Sequence, residues 1–116
     1  MTQMSNGIML NQRDIVLIPF PFSDLTGSKM RPSLIISNNN LKDNDLICML
    51  ISSVYRNGDC EIKKSDLENG KLKFVSYIRP HRVFSAHSKT IAKKLARIKI
   101  NLFKHIMQEF NFFVSC

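Results

Sequence analysis

Four polar residues beside apolar segments of the chain are of the types that could cleave RNA without a metal ion: Arg31, Ser52, Arg79 and His81. In that reaction the 2′-hydroxyl of the RNA is the nucleophile, so the protein has only to move protons and to stabilise charge on the phosphate. Arginine offers a rigid fork of donors to phosphate oxygens, a serine hydroxyl offers another donor, and histidine titrates near neutral pH. These side chains are chemically sufficient if the fold brings them together.

Other common chemistries lack the residue patterns that they require. The four glycines do not form a phosphate-binding loop. His81, His87 and His105 have no cysteine or carboxylate at metal-ligand spacing. No serine lies in a nucleophile elbow, although a dispersed Ser-His-Asp triad stays open at this point. The sequence therefore predicts no metal site and no cofactor.

The positive charge is concentrated in the C-terminal part of the chain. The formal net charge is +8 at pH 7. Residues 1–70 contain seven Lys or Arg and eight Asp or Glu, whereas residues 71–116 contain ten Lys or Arg and a single acid, Glu109. A basic region of this kind attracts polyanions. Nucleic acid is the first partner to consider, an acidic protein segment is the second, and a solvated basic surface without a partner is the alternative.

Short apolar segments separated by turns predict a mainly β fold. Pro19 and Pro21 are expected to end the first strand, and Pro80 the last. Arg31 and Pro32 open the second strand, because a residue before proline is driven out of the helical region, and residues 23–30 before it are predicted to be a loop. The predicted strands are residues 14–20, 33–37, 46–51, 61–63 and 73–79, with a resumption at 83–84. Five or six short strands indicate a small barrel or a strongly twisted sheet.

The C-terminal segment has helical periodicity. Ser88 and Asn101 are both suitable N-caps, so one long helix or two short ones are predicted. Residues 1–11 are polar and are predicted to be a flexible lead-in to a single domain at 12–116. The apolar residues that recur at three- or four-residue spacing are Ile91, Leu95, Ile98, Leu102, Ile106 and Phe110.

The composition argues against a secreted or membrane protein. Cys48, Cys60 and Cys116 are an odd number of cysteines without a short spacing, which favours reduced thiols over a disulfide framework. The longest apolar run, residues 15–22, is far shorter than the roughly 18 residues that a membrane span requires. The N-terminal residues do not have the pattern of a signal peptide. We therefore expect a cytoplasmic protein that is not associated with a membrane.

Three consecutive segments resemble the opening of the MazF/PemK family, the toxins of bacterial and archaeal toxin–antitoxin pairs. They are the apolar strand at 14–22, the loop at 24–29 that contains Gly27, and Arg31-Pro32 followed by the strand at 33–37. They occur in the order and at the spacing of the family. The resemblance extends more loosely through residues 51–53, 70–73 and 75–79 and the C-terminal helix, and covers about residues 12–112.

This resemblance implies an SH3-like β-barrel of five to seven short strands with a C-terminal helix, assembled as a homodimer. It also implies a metal-independent endoribonuclease that cuts single-stranded RNA at short motifs and is held inactive by a small acidic antitoxin. The alternative is a non-catalytic member of the same fold that binds nucleic acid or a protein target such as DNA gyrase. Some members have a His or Glu in the loop that here spans residues 24–29.

The resemblance also assigns roles to individual residues. Arg31 and Ser52 match the motif arginine and the strand-end hydroxyl of the catalytic site, and Arg79 matches more loosely a basic residue of the last barrel strand. His81 and Ser76 are candidates for proton transfer, although some members have an acidic residue where this chain has Ser76. The residues expected to bind RNA are Lys29, Ser53 and Arg82.

Overall fold

The described part of the chain forms nine β-strands, two short 3₁₀ helices and one α-helix. The computed structural model describes the backbone of residues 3–5, 7–21 and 27–116 and the side chains of residues 7–20 and 27–116. The 3₁₀ helices span Lys64–Asp66 and Ser88–Thr90. The other elements are β1 (Gln3–Ser5), β2 (Ile8–Leu10), β3 (Asp14–Pro21), β4 (Ser28–Ile35), β5 (Asp45–Ser52), β6 (Cys60–Ile62), β7 (Leu67–Gly70), β8 (Ser76–His87), β9 (Lys93–Ile98) and α1 (Ile100–Val114).

Seven of these strands form one antiparallel sheet, which curls into a nearly closed barrel. The strand order is β6-β8-β5-β4-β3-β9-β7, and β1 and β2 pair with each other in a separate hairpin. The central strands β3, β4 and β5 are the long apolar segments of the sequence, whereas the edge strands β6 and β7 are short, as edge strands commonly are. The prediction of a mainly β barrel with a C-terminal helix is confirmed.

The two faces of the sheet bury two separate apolar clusters. Successive side chains of a strand point to opposite faces, so Ile15 of β3 belongs to one cluster and its neighbour Val16 to the other. The first cluster includes Phe103 and Ile106, which places α1 against that face. The second cluster includes Leu10 of β2. The helix and the N-terminal hairpin therefore cover opposite faces of the sheet.

Pro19 and Pro80 both lie inside strands of the structure. Pro19 is opposite Met30 of β4, and the pairing of β3 with β9 stops at Leu17. Beyond Leu17, β3 has a paired neighbour on one side only, so the missing N–H of Pro19 costs no hydrogen bond of the sheet. Pro80 lies within β8, where the pairing with β5 is interrupted. Pro19 therefore does not end β3, which runs to Pro21, whereas the predicted break at Pro80 with a resumption at Val83 is confirmed.

The predicted boundaries also differ from the structure near the two ends of the chain. The hairpin of β1 and β2 occupies the segment predicted to be a lead-in, and β4 begins at Ser28 within the predicted loop. The rest of that loop, residues 23–26, lies outside the described residues. Residues 93–98 form β9, not the start of a helix, and α1 begins at Ile100 with Lys99 as its N-cap. Ala96 and Ile98 are both buried, which is the two-residue spacing of a strand.

A buried carboxylate joins β3 to β9. Asp14 is 0% exposed, and its Oδ1 accepts a hydrogen bond from Nε of Arg97 at 2.8 Å. Its Oδ2 lies 3.3 Å from Nζ of Lys94 and accepts a hydrogen bond from the backbone N–H of Asn11. The hydrogen bond to Asp14 raises the pKa of the Arg97 guanidinium, which also lies 3.5 Å from Glu68 of β7. This network therefore links three strands at one edge of the sheet.

Candidate active site

Three residues form a row across strands β4, β5 and β8. Ser52 of β5 is directly opposite Tyr77 of β8. Strands β4 and β5 pair with Ser33 opposite Leu50, and continuing this register by two residues places Arg31 opposite Ser52. Directly opposed residues of antiparallel strands point to the same face of the sheet. The fold therefore brings Arg31 and Ser52, which the family resemblance assigns to catalysis, to neighbouring positions.

Arg31 presents its side chain to solvent. Among the described residues, nothing forms a hydrogen bond or an ion pair with its guanidinium. The backbone around it is stiffened by its pairing with Ile18 of β3 and by the ring of Pro32. Lys29 is also exposed and lies two residues earlier in β4, so it projects from the same face as Arg31. Two cationic side chains on a rigid strand are therefore open to an anionic ligand.

Ser52 has a hydroxyl oriented by the loop that follows β5. Its Oγ accepts a hydrogen bond from the backbone N–H of Val54 at 3.1 Å, and the residue is half-buried. A serine hydroxyl has two acceptor lone pairs and one donor hydrogen, so this contact leaves the hydrogen free to donate to a phosphate oxygen. The neighbouring Ser53 is exposed.

Two tyrosines next to the row are absent from the residues that the sequence singles out. Tyr77 stands between Ser52 of β5 and Glu61 of β6. The ring of Tyr55, which is exposed, lies edge-on to the ring of Tyr77 with centroids 5.4 Å apart. Aromatic faces of this kind can stack on the bases of single-stranded RNA. Only the register between β5 and β8 reveals the neighbourhood, so no local sequence signal would have found it.

Residues 79–82 form a large bulge in β8. On one side of the bulge Ile78 pairs with Ile51, and on the other side Val83 pairs with Met49. The segment 79–82 is therefore opposite a single residue of β5. A bulge interrupts the ladder and aims side chains away from the regular alternation. Three of the predicted site residues, Arg79, His81 and Arg82, lie in this segment.

His81 and Arg82 are exposed on the bulge. The ring of His81 lies edge-on to Phe113 of α1, with centroids 6.5 Å apart. The other two histidines are engaged elsewhere: Nδ1 of His87 accepts a backbone hydrogen bond at the start of the second 3₁₀ helix, and His105 lies beside a carboxylate of α1. Of the three imidazoles, His81 is therefore the one that the bulge presents to solvent.

Arg79 lies in a protein-lined environment, apart from the row. Its side chain is 6% exposed and forms an ion pair with the Asp59 carboxylate, which is 0% exposed. Nε lies 3.2 and 3.3 Å from the two oxygens of Asp59, and Nη2 donates to Asp59 at 3.1 Å and to the carbonyl oxygen of Val54 at 2.9 Å. These donors are used by the protein itself, so they are not open to a phosphate as those of Arg31 are.

Ser76 points to the other face of the sheet. It is opposite Ile62, which belongs to the cluster on which α1 packs. Its hydroxyl is buried and donates to the carbonyl oxygen of Phe74 at 2.9 Å. Because successive side chains alternate in a strand, Ser76 is on the side opposite to its neighbour Tyr77. The fold therefore does not bring Ser76 together with the row.

The two buried cysteines, Cys48 and Cys60, are not suited to act as nucleophiles. Burial raises the pKa of the Cys48 thiol to about 12. Burial and the nearby Glu109 and Asp59 carboxylates raise the pKa of Cys60 as well. Both thiols are therefore protonated at neutral pH and are poor nucleophiles.

The described residues offer neither a metal site nor a membrane-spanning helix. Among them, no group of three His, Cys, Asp or Glu side chains is arranged to hold a metal ion. No helix in the same part of the chain is both long and apolar enough to span a bilayer. The groups that the row itself offers to a ligand are a guanidinium, a hydroxyl and an aromatic ring, which match the phosphate and base of RNA.

The fold is shared with solved toxin structures of low sequence identity. An endoribonuclease from a Mycobacterial species, in complex with its cognate antitoxin, superposes with a TM-score of 0.71 at 13% identity, covering 89% of this chain and 92% of that chain. A MazE–MazF structure from Deinococcus radiodurans gives a TM-score of 0.72 at 12% identity, covering 91% and 96%. The Mycobacterium tuberculosis toxin MazF-mt6 gives 0.66 at 13% identity, covering 86% and 94%.

Comparison of the sequence with known families is more specific than the likeness of the fold. No individually curated protein matches it at a significant level. The family described as PemK-like, MazF-like toxin of type II toxin–antitoxin system matches residues 11–114, a span that contains every element from β3 to α1. The chain therefore belongs to the PemK-like, MazF-like family of toxins from type II toxin–antitoxin systems.

Proposed function

We propose that this protein is an endoribonuclease that cleaves single-stranded RNA at short sequence motifs without a metal ion. The observation that carries the proposal is that Arg31, Ser52 and Tyr77 lie on one face of the adjacent strands β4, β5 and β8. The proposal is further supported by membership of the toxin family, by the structural likeness to Mycobacterial endoribonucleases and by the basic C-terminal part of the chain. As a toxin, the protein acts on cytoplasmic RNA.

In the proposed reaction the RNA supplies its own nucleophile. The 2′-oxygen attacks the adjacent phosphorus, loses its proton, and forms the new P–O bond of a 2′,3′-cyclic phosphate. The bond from phosphorus to the 5′-oxygen breaks, and that oxygen takes up a proton to become a 5′-hydroxyl. Arg31 donates to the phosphate oxygens through its fork and Ser52 through its hydroxyl, so both stabilise the growing negative charge. We assign proton transfer to His81, the exposed imidazole of the bulge in β8, because the two nitrogens of an imidazole can accept and donate a proton.

RNA cleavage should persist in excess EDTA. Charge stabilisation comes from Arg31 and Ser52 in this mechanism and the nucleophile comes from the substrate, so removing divalent cations leaves the rate within about twofold. The measurement is the time course of cleavage of a mixed-sequence single-stranded RNA with EDTA or with Mg²⁺. Arg31→Ala protein purified in parallel is the control for contaminating ribonucleases. Strict dependence on Mg²⁺ would contradict the mechanism, and intact RNA under both conditions would favour a non-catalytic member of the fold.

A homodimer is the proposed assembly. Single exposed apolar residues are common on proteins, but large exposed groups of them mark interaction surfaces. Phe112 is 73% exposed and Phe74 is 75% exposed. Apart from Tyr55, the exposed large apolar residues of the β5–β6 loop, of the segment before β8 and of the end of α1 are Val54, Phe74, Val75, Phe112, Phe113 and Val114. Burying them between two copies removes this apolar surface from water.

Light scattering at micromolar concentration should therefore give twice the chain mass of 13.4 kDa. Replacing Phe112 and Phe113 by serine should lower the mass toward that of one chain. Replacing Met9, an exposed apolar residue of β2, by serine is the matched control. A parent protein that stays monomeric would count against the dimer.

A small acidic antitoxin is the second proposed partner. The C-terminal part of the chain is strongly basic, and long-range attraction favours an acidic segment over a neutral one. The Mycobacterial endoribonuclease was solved in complex with its cognate antitoxin, and the Deinococcus radiodurans structure contains MazE together with MazF. An acidic reading frame directly beside the gene would support this pairing.

A further inference from the structure

A buried ion pair lies under the loop that connects β5 to β6. Arg79 enters from the bulge of β8, and Asp59 closes the loop just before β6. The side chains are 6% and 0% exposed, so the pair is screened from solvent on both sides. A buried pair is not in itself evidence of stability, since desolvation offsets much of the attraction. Its contacts therefore suggest a further role.

The Asp59 carboxylate also organises the turn in which it lies. Its Oδ2 accepts a hydrogen bond from the backbone N–H of Arg56 at 2.9 Å. The backbone N–H of Asp59 donates in return to the carbonyl oxygen of Arg56 at 3.0 Å. One carboxylate thus holds both the turn at 56–59 and the guanidinium of Arg79.

Arg79 is connected to Ser52 through one residue, Val54. Nη2 of Arg79 donates to the carbonyl oxygen of Val54 at 2.9 Å. The backbone N–H of Val54 donates to Oγ of Ser52 at 3.1 Å. The orientation of the Ser52 hydroxyl therefore depends on where the backbone of Val54 is held, and Arg79 holds it.

We propose that Arg79 is a positioning residue for the RNA cleavage proposed above: paired with Asp59, it fixes Val54 and thereby directs the Ser52 hydroxyl toward the phosphate. This role rests on the proposed function. It differs from a direct contact of Arg79 with RNA, because the side chain is only 6% exposed and its Nε and Nη2 are already occupied by Asp59 and Val54. Arginine is needed because its planar fork reaches two acceptors in different directions, whereas lysine is a point charge.

Amide hydrogen exchange tests the positioning without relying on activity. Arg79→Lys keeps the charge beside Asp59 and loses the contact with Val54. The backbone amides of Val54 and Arg56 should then exchange about tenfold faster, as expected when a local hydrogen bond weakens. The amides of Cys48 and Ile51 in β5 should be unchanged. Asp59→Asn, which keeps the shape of the side chain, is the second variant in case Arg79→Lys does not fold.

A double-mutant cycle with Ser52 tests whether Arg79 acts through that residue. Arg79→Lys should lower kcat about tenfold and leave KM within about twofold, because the hydroxyl acts on the transition state. In a Ser52→Ala background, the same substitution should have almost no further effect. Ile106→Val, which removes one buried methyl group of α1, is the control for general destabilisation and should lower kcat little.

The outcomes separate the positioning role from the proposed function. Equal losses of kcat in the two backgrounds, or a rise in KM alone, would overturn positioning through Ser52. Unchanged exchange at Val54 in an active enzyme would overturn it as well. A parent protein that cleaves no RNA, although its loop loosens in Arg79→Lys, would overturn the proposed function and, with it, the positioning role of Arg79 in cleavage.

Discussion

Replacing Arg31 by alanine should lower kcat for RNA cleavage by roughly 100-fold or more, the loss typical of one donor to a developing anion. Arg31 is exposed, is held by the pairing of β4 with β3 and precedes the rigid Pro32. Its fork can hold two phosphate oxygens as charge develops on them. Lysine at this position keeps the charge but not the fork, so Arg31→Lys should lose most of the same rate.

Lys29 provides a matched control for this substitution. It is an exposed cation on the same face of the same strand, so Lys29→Ala changes the net charge by the same amount. We expect it to raise KM more than it lowers kcat, because a more distant cation attracts RNA without contacting the reacting phosphate. Overexpression should arrest growth for the parent and for Lys29→Ala but not for Arg31→Ala. An Arg31→Ala protein that is folded and cleaves RNA within a few-fold of the parent would place the active site elsewhere.

Asp14→Asn should lower the free energy of unfolding by about 3 kcal/mol. Removing one member of a buried charge network costs about 3–5 kcal/mol. The low end applies here because Arg97 and Lys94 keep part of their solvent contact, with side chains 22% and 27% exposed. Urea denaturation followed by circular dichroism measures the change. A loss of less than 1 kcal/mol would show that the network contributes little to the joining of β3 and β9.

Glu68→Gln is the control for the exposed side of that network. Hydrogen bonding from Arg13 and the charges of Arg13 and Arg97 hold the pKa of Glu68 below its ordinary value of 4.5. A carboxyl with a lowered folded-state pKa stabilises the fold above its ordinary pKa, and this contribution disappears as the pH falls through the folded value. The stability difference between parent and Glu68→Gln should therefore be small at pH 7 and vanish in acid.

The sequence predicts the central strands well and the termini poorly. Strands β3 and β5 and the second half of β4 are recognisable because both of their faces are largely buried, which requires continuous β-branched and aliphatic residues. The spacing of Ile91, Leu95 and Ile98 resembles that of a helix, and only the pairing with β3 and β7 makes residues 93–98 a strand. The periodicity of a short segment carries no information about a partner strand that lies far away in the chain.

The same limit applies to the site. Arg31 and Ser52 can be proposed from residue type and family resemblance, but their adjacency follows from the register of β4 and β5. Tyr77 joins them because it is opposite Ser52, whereas Ser76, one residue earlier, points to the other face. A shift of one residue in the register would exchange these two roles. The burial of Arg79 likewise depends on Asp59, which no local pattern connects with it.

The most direct test of RNA cleavage by the proposed mechanism uses an oligonucleotide with one missing hydroxyl. The cut site is first mapped on single-stranded RNA, and the nucleotide on its 5′ side is then replaced by its 2′-deoxy form. The all-ribose oligonucleotide should be cut in EDTA to give a 2′,3′-cyclic phosphate and a 5′-hydroxyl. The substituted one should stay intact at that bond because the nucleophile is absent. Cleavage of the substituted oligonucleotide at the mapped bond would contradict the account.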